Sequence, residues 1–141
     1  MNSARLTWEE SRQSCKKSGL GDLMSIESYA EWIFLKSIVL RLTINDEYLI
    51  GLRRRDDRHS EWRWVSNKSV SQRDLPWATG EPNGFGDCVS IYKDYQRDYG
   101  KYNDLECTRY IWPYNIINPG YICELPIDGC NRDGKSCTLF I

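Results

Sequence analysis

The feature that most constrains this chain is its cysteine content: six, at positions 15, 88, 107, 123, 130 and 137, within 141 residues. An even number in so short a chain points to a disulfide framework, and hence to an oxidising, secretory compartment. Zinc is the competing use of cysteine. It is poorly served, because His59 is the single histidine and no two cysteines stand in C-x2-C spacing. The chain opens at Met1 on polar residues, with neither a signal-peptide core nor an apolar run long enough to cross a bilayer. The stretch Trp32 to Leu40 is short and interrupted by Lys36. The chain therefore reads as a piece of a secreted or membrane-anchored protein, placed outside the cell, with no membrane insertion of its own.

At this length one ordinary domain is expected, with a short appendage at most. A hydrophobic fraction of 40% and an aromatic fraction of 13% exclude disorder. With 19 basic against 20 acidic side chains, no overall field draws the chain to nucleic acid or to an anionic membrane. A partner must be selected by a local site.

Thr7 and Glu10 form a capping-box pattern that opens a first helix over about Trp8 to Lys17, with Gly19 placed to end it. Trp8 and Cys15 fall on one face of that helix, which turns Cys15 inward. Ser28 and Glu31 repeat the pattern ahead of Trp32, Ile33, Phe34, Leu35, Ile38 and Val39, which read as a second, well-buried helix ending near Arg41. Strands are expected at Tyr48–Leu52, Glu61–Val65, Cys88–Tyr92, about Lys101–Asn103, and Tyr121–Leu125. Arg53, Arg54, Arg55 and Arg58 with Asp56 and Asp57 read as a solvated turn. A sulfated-glycan patch is their functional alternative, opposed by the neighbouring aspartates. Residues 66–87 lack periodicity and are punctuated by Pro76, Gly80, Pro82, Gly84 and Gly86, so the long loop is where a site is expected. Two helices followed by several short strands make an α+β domain with small antiparallel sheets. It is expected to span residues 5–125, with 126–141 as a cysteine-containing tail or the start of a following module. Cys130 and Cys137 are close enough in that tail to pair with each other.

Two short pieces carry oxygen donors: Glu81-Pro82-Asn83 in the long loop, and Asn103-Asp104 before Cys107. Hard oxygens are the ligands calcium prefers and softer metals do not. A rigid Pro82, with a cis bond as one option, can hold the side chains on either side toward one point. On its own, Glu-Pro-Asn is an ordinary turn sequence. Asn67-Lys68-Ser69 is an N-glycosylation sequon in an expected surface turn.

Taken in order, these pieces resemble the C-type lectin-like family over about Leu6 to Glu124. Leu6-Thr7-Trp8-Glu9-Glu10 leading to Cys15 looks like its first helix, and Leu23-Met24-Ser25-Ile26 like its link to the second. Tyr48-Leu49-Ile50-Gly51-Leu52 resembles its signature strand, and Trp62, Trp64 and Trp77 resemble its recurring core aromatics. The resemblance implies the C-type lectin-like fold with a long calcium- and sugar-binding loop. It also implies the disulfides Cys15–Cys123 and Cys88–Cys107, whose loop closures are worth about 4.7 and about 3 kcal/mol in the chain-entropy picture. Glu81, Asn83, Asn103 and Asp104 would ligate one calcium and hydrogen-bond two adjacent hydroxyls of a mannose, fucose or N-acetylglucosamine residue. Asp87 is carried as a further calcium ligand.

Departures from the family pattern open an alternative. The usual acidic residue two positions before the third cysteine is Gly86, Tyr102 stands for a tryptophan, and the segment from Thr108 to Gly120, with Tyr110, Trp112, Pro113 and Tyr114, is long. A module that has lost a metal ligand and binds a protein without calcium would fit those features. Little precedes Leu6, so the terminal strand near Tyr121 is expected to present an unpaired edge. Catalysis is not expected: His59 has no nucleophile beside it, the core cysteines are taken up in disulfides, and a calcium between Glu81 and Asp104 would keep both ionised.

Overall fold

The computed structural model describes residues 6–19, 21–42, 47–55, 61–92, 98–108, 120–127 and 137–140. His59, the residues before Leu6, residues 109–119 of the aromatic insertion, and Cys130 lie outside them, and so does any Cys130–Cys137 pairing.

Helix α1 (Trp8–Lys17) carries the full capping box: Glu10 N donates to Thr7 Oγ1, and Thr7 N donates to Glu10 Oε1. Gly19 follows the helix at φ 72°, the left-handed conformation that glycine adopts without a Cβ penalty. The short strand β1 (Asp22–Leu23) leads to helix α2 (Tyr29–Phe34). At this second helix the sequence reading is corrected. α2 is followed by a π-helical turn over Leu35–Val39 and a 3-10 turn over Leu40–Leu42, and no residue of α2 is buried. Tyr29, Ile33 and Phe34 are exposed, whereas Leu35 and Leu40 reach the core. Leu40 N bonds to Leu35 O, a one-residue slip in the helical ladder, so the apolar stripe does not continue along a single face.

Strand β2 (Glu47–Arg53) is central. It pairs antiparallel with β3 (Trp62–Trp64) and with β5 (Cys88–Tyr92), and parallel with β7 (Gly120–Tyr121). β3 continues to β4 (Ser69–Val70), and β5 continues to β6 (Tyr102–Leu105). A second sheet orders β1, β8 (Cys123–Ile127) and β9 (Cys137–Phe140). β9 lies against the edge of β8 that had been expected to stand open, with Glu124 opposite Phe140 and Leu125 opposite Leu139. The backbone between Met24, Ile122, Leu49 and Gly51 ties the two sheets together.

β2 is buried on both faces, and each face belongs to a different core. Tyr48, Ile50 and Leu52 pack with Met24, Trp62, Trp64, Ile91 and Tyr102. Leu49 packs on the other side with Trp8, Cys15, Leu23 and Leu105. The two disulfides, Cys15–Cys123 and Cys88–Cys107, both fall in this second core. Trp8 is fully buried there and pays for its polar atom with a 2.8 Å bond from Nε1 to Ile50 O.

Candidate functional site

The long loop is brought to β6 by aromatic packing. Tyr102 is buried, edge-on to both Trp64 and Trp77, and the loop backbone is bonded on either side of it: Tyr102 N to Pro76 O and Ala78 N to Tyr102 O, each 2.8 Å. A tyrosine thus fills the position where tryptophan was expected, with the large ring in the core. Glu81 N then bonds to Ala78 O, which turns the chain back toward the sheet.

Next in the loop, the Glu81–Pro82 peptide is cis. Glu81, Asn83 and Asp104 converge. Asn83 N donates to Glu81 Oε2 at 3.1 Å and to Asp104 Oδ1 at 3.0 Å, and Gly84 N donates to Asp104 Oδ2 at 3.0 Å. Asn83 Nδ2 reaches Glu81 Oε1 at 3.3 Å, while its Oδ1 accepts from Phe85 N. Asp104 is almost fully buried. Burial and the adjacent Asp104 carboxylate push Glu81 up to about 7. Two carboxylates are therefore crowded together where, among the described residues, the groups that donate to them are amides, a local excess of negative charge.

Asn103 stands one residue away on β6 and turns elsewhere: its Nδ2 makes a long 3.5 Å contact with Glu47 Oε2. Ser90 Oγ donates to the same oxygen. Glu47 was missed in the sequence, and its charge contributes to the raised Glu81 pKa. No local signal marks it. It is an acidic residue at the head of an apolar strand, and only the β2–β5–β6 pairing, Leu49 opposite Ser90 and Ser90 opposite Asn103, carries it toward the loop.

Asp87 does not join the cluster. Its carboxylate pairs with Arg54 Nε at 2.8 Å, and its carbonyl accepts from Arg54 N. The nearly buried Arg54 requires a counter-charge, and Asp87 supplies it. Gly86 is explained by space: a Cβ there would lie 1.9 Å from the Leu105 carbonyl carbon, so the loop backbone is pressed onto β6 where no side chain fits. Asn67 occupies the turn after β3 at φ 82°, exposed, as a surface sequon requires. Among the described residues no group of three or more His, Cys, Asp or Glu side chains gathers as a metal site. The cluster is built from two carboxylates and neutral amides.

Residues 4–112 match the family description of the Lectin C-type domain. The chain belongs to the C-type lectin domain family. Among curated relatives, this C-type lectin domain is 35% identical to E-selectin of Bos taurus over 74% of its own length and 21% of the relative's. It is 31% identical to L-selectin of Rattus norvegicus over 92% of its own length and 33% of the relative's. The chain thus spans a third or less of the length of the selectins it matches. Among solved structures it is similar to human lithostathine, with TM-score 0.67 and 25% identity over 88% of this chain and 87% of that one. It is also similar to the cow C-type carbohydrate-recognition domain of CD23, solved in the presence of a GlcNAc2Man3 oligosaccharide, with TM-score 0.61 and 28% identity over 84% and 78%. The domain is a recognition module and not an enzyme. No helix among the described residues is long and apolar enough to cross a membrane.

Proposed function

We propose that this C-type lectin domain binds glycans ending in mannose-type sugars, in a calcium-dependent manner, outside the cell. The observation that carries the reading is the convergence of Glu81, Asn83 and Asp104, from two separate segments, on one point beside the loop. The donors suit calcium: hard carboxylate and amide oxygens, in a place with negative charge to spare. Glu81, Asn83, Asn103 and Asp104 would hold the ion, and calcium would supply an anchor able to accept two neighbouring sugar hydroxyls. Around it the chain's own groups provide direction, since carboxylates accept from hydroxyls and asparagine amides donate to them. The CD23 domain, solved in the presence of a GlcNAc2Man3 oligosaccharide, and the C-type lectin domain of murine dendritic cell inhibitory receptor 2, solved in complex with N-glycan and 30% identical to this chain, support the ligand class. We assign the recognition domain to residues 5–125. We also assign Asn67 as a glycosylated surface position and Cys130–Cys137 as a tail disulfide.

The test is retention of the refolded, disulfide-intact protein on immobilised mannose, in millimolar calcium and then in chelator, with galactose as control. Retention that is calcium-dependent and mannose-selective is expected. Folded protein presented multivalently and not retained would refute it.

Two observations favour a second reading, a calcium-independent protein-binding module: Gly86 has no room for an acidic side chain, and Asp87 is committed to Arg54. That reading expects undiminished folding stability and partner binding in chelator.

A further inference from the structure

Among the described residues, a groove of about 630 Å3 between α1 and the β2–β3 pair is lined by five arginines, Arg12, Arg53, Arg54, Arg55 and Arg63, against one carboxylate, Glu61. Arg12 and Arg54 are held by carboxylates inside the fold. Arg12 pairs with Asp22 at 3.0 Å and Arg54 with Asp87 at 2.8 Å. Arg53 and Arg63 are placed differently. They are direct partners in the β2–β3 register, so their side chains leave the same sheet face with Cβ atoms about 5 Å apart.

Like charges in that position repel and cost stability. Glu9 approaches Arg53 only to 3.7 Å, through side chains that are 42% and 55% exposed, a geometry worth little in water. Arg63 donates instead to neutral acceptors, the Asn67 carbonyl and Oδ1 at 3.1 and 3.2 Å. Orientation is nevertheless built in. Arg53 and Arg12 both lie over the ring of Trp8, at 5.1 and 5.9 Å from its centroid, and Trp8 is fully buried and so cannot yield.

We propose that this groove is a binding site for a sulfated polysaccharide, separate from the Glu81–Asp104 cluster and not dependent on calcium. Planar guanidinium forks suit tetrahedral oxyanions, which offer several oxygens to two forks at once. A sulfate ester bridging Arg53 and Arg63 converts their repulsion into two attractions. The groove is also large enough for several rings and not only for a lone ion. Because the whole chain carries a charge of -1, the attraction is local and weakens with added salt.

The experiment is binding of the full chain to immobilised heparin in chelator, in two forms, one carrying the glycan on Asn67, which lines the groove, and one made without it, and both are expected to bind. Desulfated heparin and inorganic sulfate at matched ionic strength serve as competitors. Heparin binding that survives chelation is expected, with fully sulfated chains competing and the desulfated chain and inorganic sulfate failing to compete. The variant R53A/R63A should bind about tenfold more weakly or worse, while R73A, which removes an exposed arginine outside the groove, leaves binding unchanged. Circular dichroism of each variant checks the fold. Equal binding by R53A/R63A, equal competition by desulfated heparin, or binding that requires calcium would each overturn the proposal. The last outcome would leave the calcium-dependent reading of Glu81 and Asp104 standing.

Discussion

Two places in this small domain crowd charges of one sign, and they do so by different means. At the loop, Glu81 and Asp104 come from segments far apart in sequence and meet because aromatic packing at Tyr102 pins the loop to β6. At the groove, Arg53 and Arg63 meet because strand register sets them opposite one another. In the first place the cost falls on protonation, with Glu81 pushed up to about 7. In the second the cost falls on stability, because arginine does not give up its proton. A near-neutral chain can thus carry two local demands for a counter-charge, one for a cation and one for an anion, and composition reveals neither.

The largest effect that would break this comparison is at Asp104. D104N removes the charge and leaves an acceptor for only one of Asn83 N and Gly84 N, since an amide has a single oxygen, and calcium-dependent sugar retention should fall at least about a hundredfold, as when metal-site support is lost. Heparin binding in chelator should not change; a parallel loss would mean that the two places are one site. Next is Gly86. G86A should cost about 1–3 kcal/mol by denaturant unfolding, since its Cβ must displace the Leu105 backbone, and it should weaken calcium binding with it. A well-tolerated alanine would show that the loop has freedom to bring a further ligand in.

Glu124 separates burial from like-charge crowding. Burial is the largest cause that pushes its carboxyl up to about 7, from 4.5 in the unfolded chain, although Ser25 N bonds to it. A raised acid contributes its stability fully below 4.5 and loses it as pH rises through 7, because the unfolded chain ionises first. E124Q should therefore flatten the stability profile between those values and stabilise the domain at pH 8 by on the order of 1 kcal/mol after solvent screening, as read from urea midpoints. Calcium should leave that difference unchanged. The smallest effect is at Arg63. R63E replaces a like-charge cross-strand pair by an opposite one and should stabilise the domain at low salt by about 0.2–1 kcal/mol while weakening heparin binding.

Much of the frame was legible in the residues. Thr7 and Glu10 announced α1 because a capping box is a local device whose partners lie three residues apart. The strand at Tyr48–Leu52 was readable as a short apolar run, and it forms the centre of the larger sheet. The disulfides implied by the family resemblance are those of the structure. The second helix misled because its apolar residues are dense enough to suggest burial, while the π-helical slip at Leu40 that redirects them depends on where the turn docks. Glu47 and the Arg53–Arg63 pair were invisible because nothing in a strand's own sequence says which residue will stand opposite it.

The sequence by itself determined the class of fold, the cysteines available to staple it, and the oxygen donors from which a calcium site can be made. Those depend on residue type and on spacings of a few positions. Tertiary structure alone decided that Glu81, Asn83 and Asp104 meet, that Asp87 answers Arg54, that Gly86 has no room for a side chain, and that β9 covers the edge of β8. The reason is physical: a carboxylate's neighbours are set by strand register and by the packing of distant rings, and its charge answers to those neighbours over a few ångströms whatever their separation along the chain.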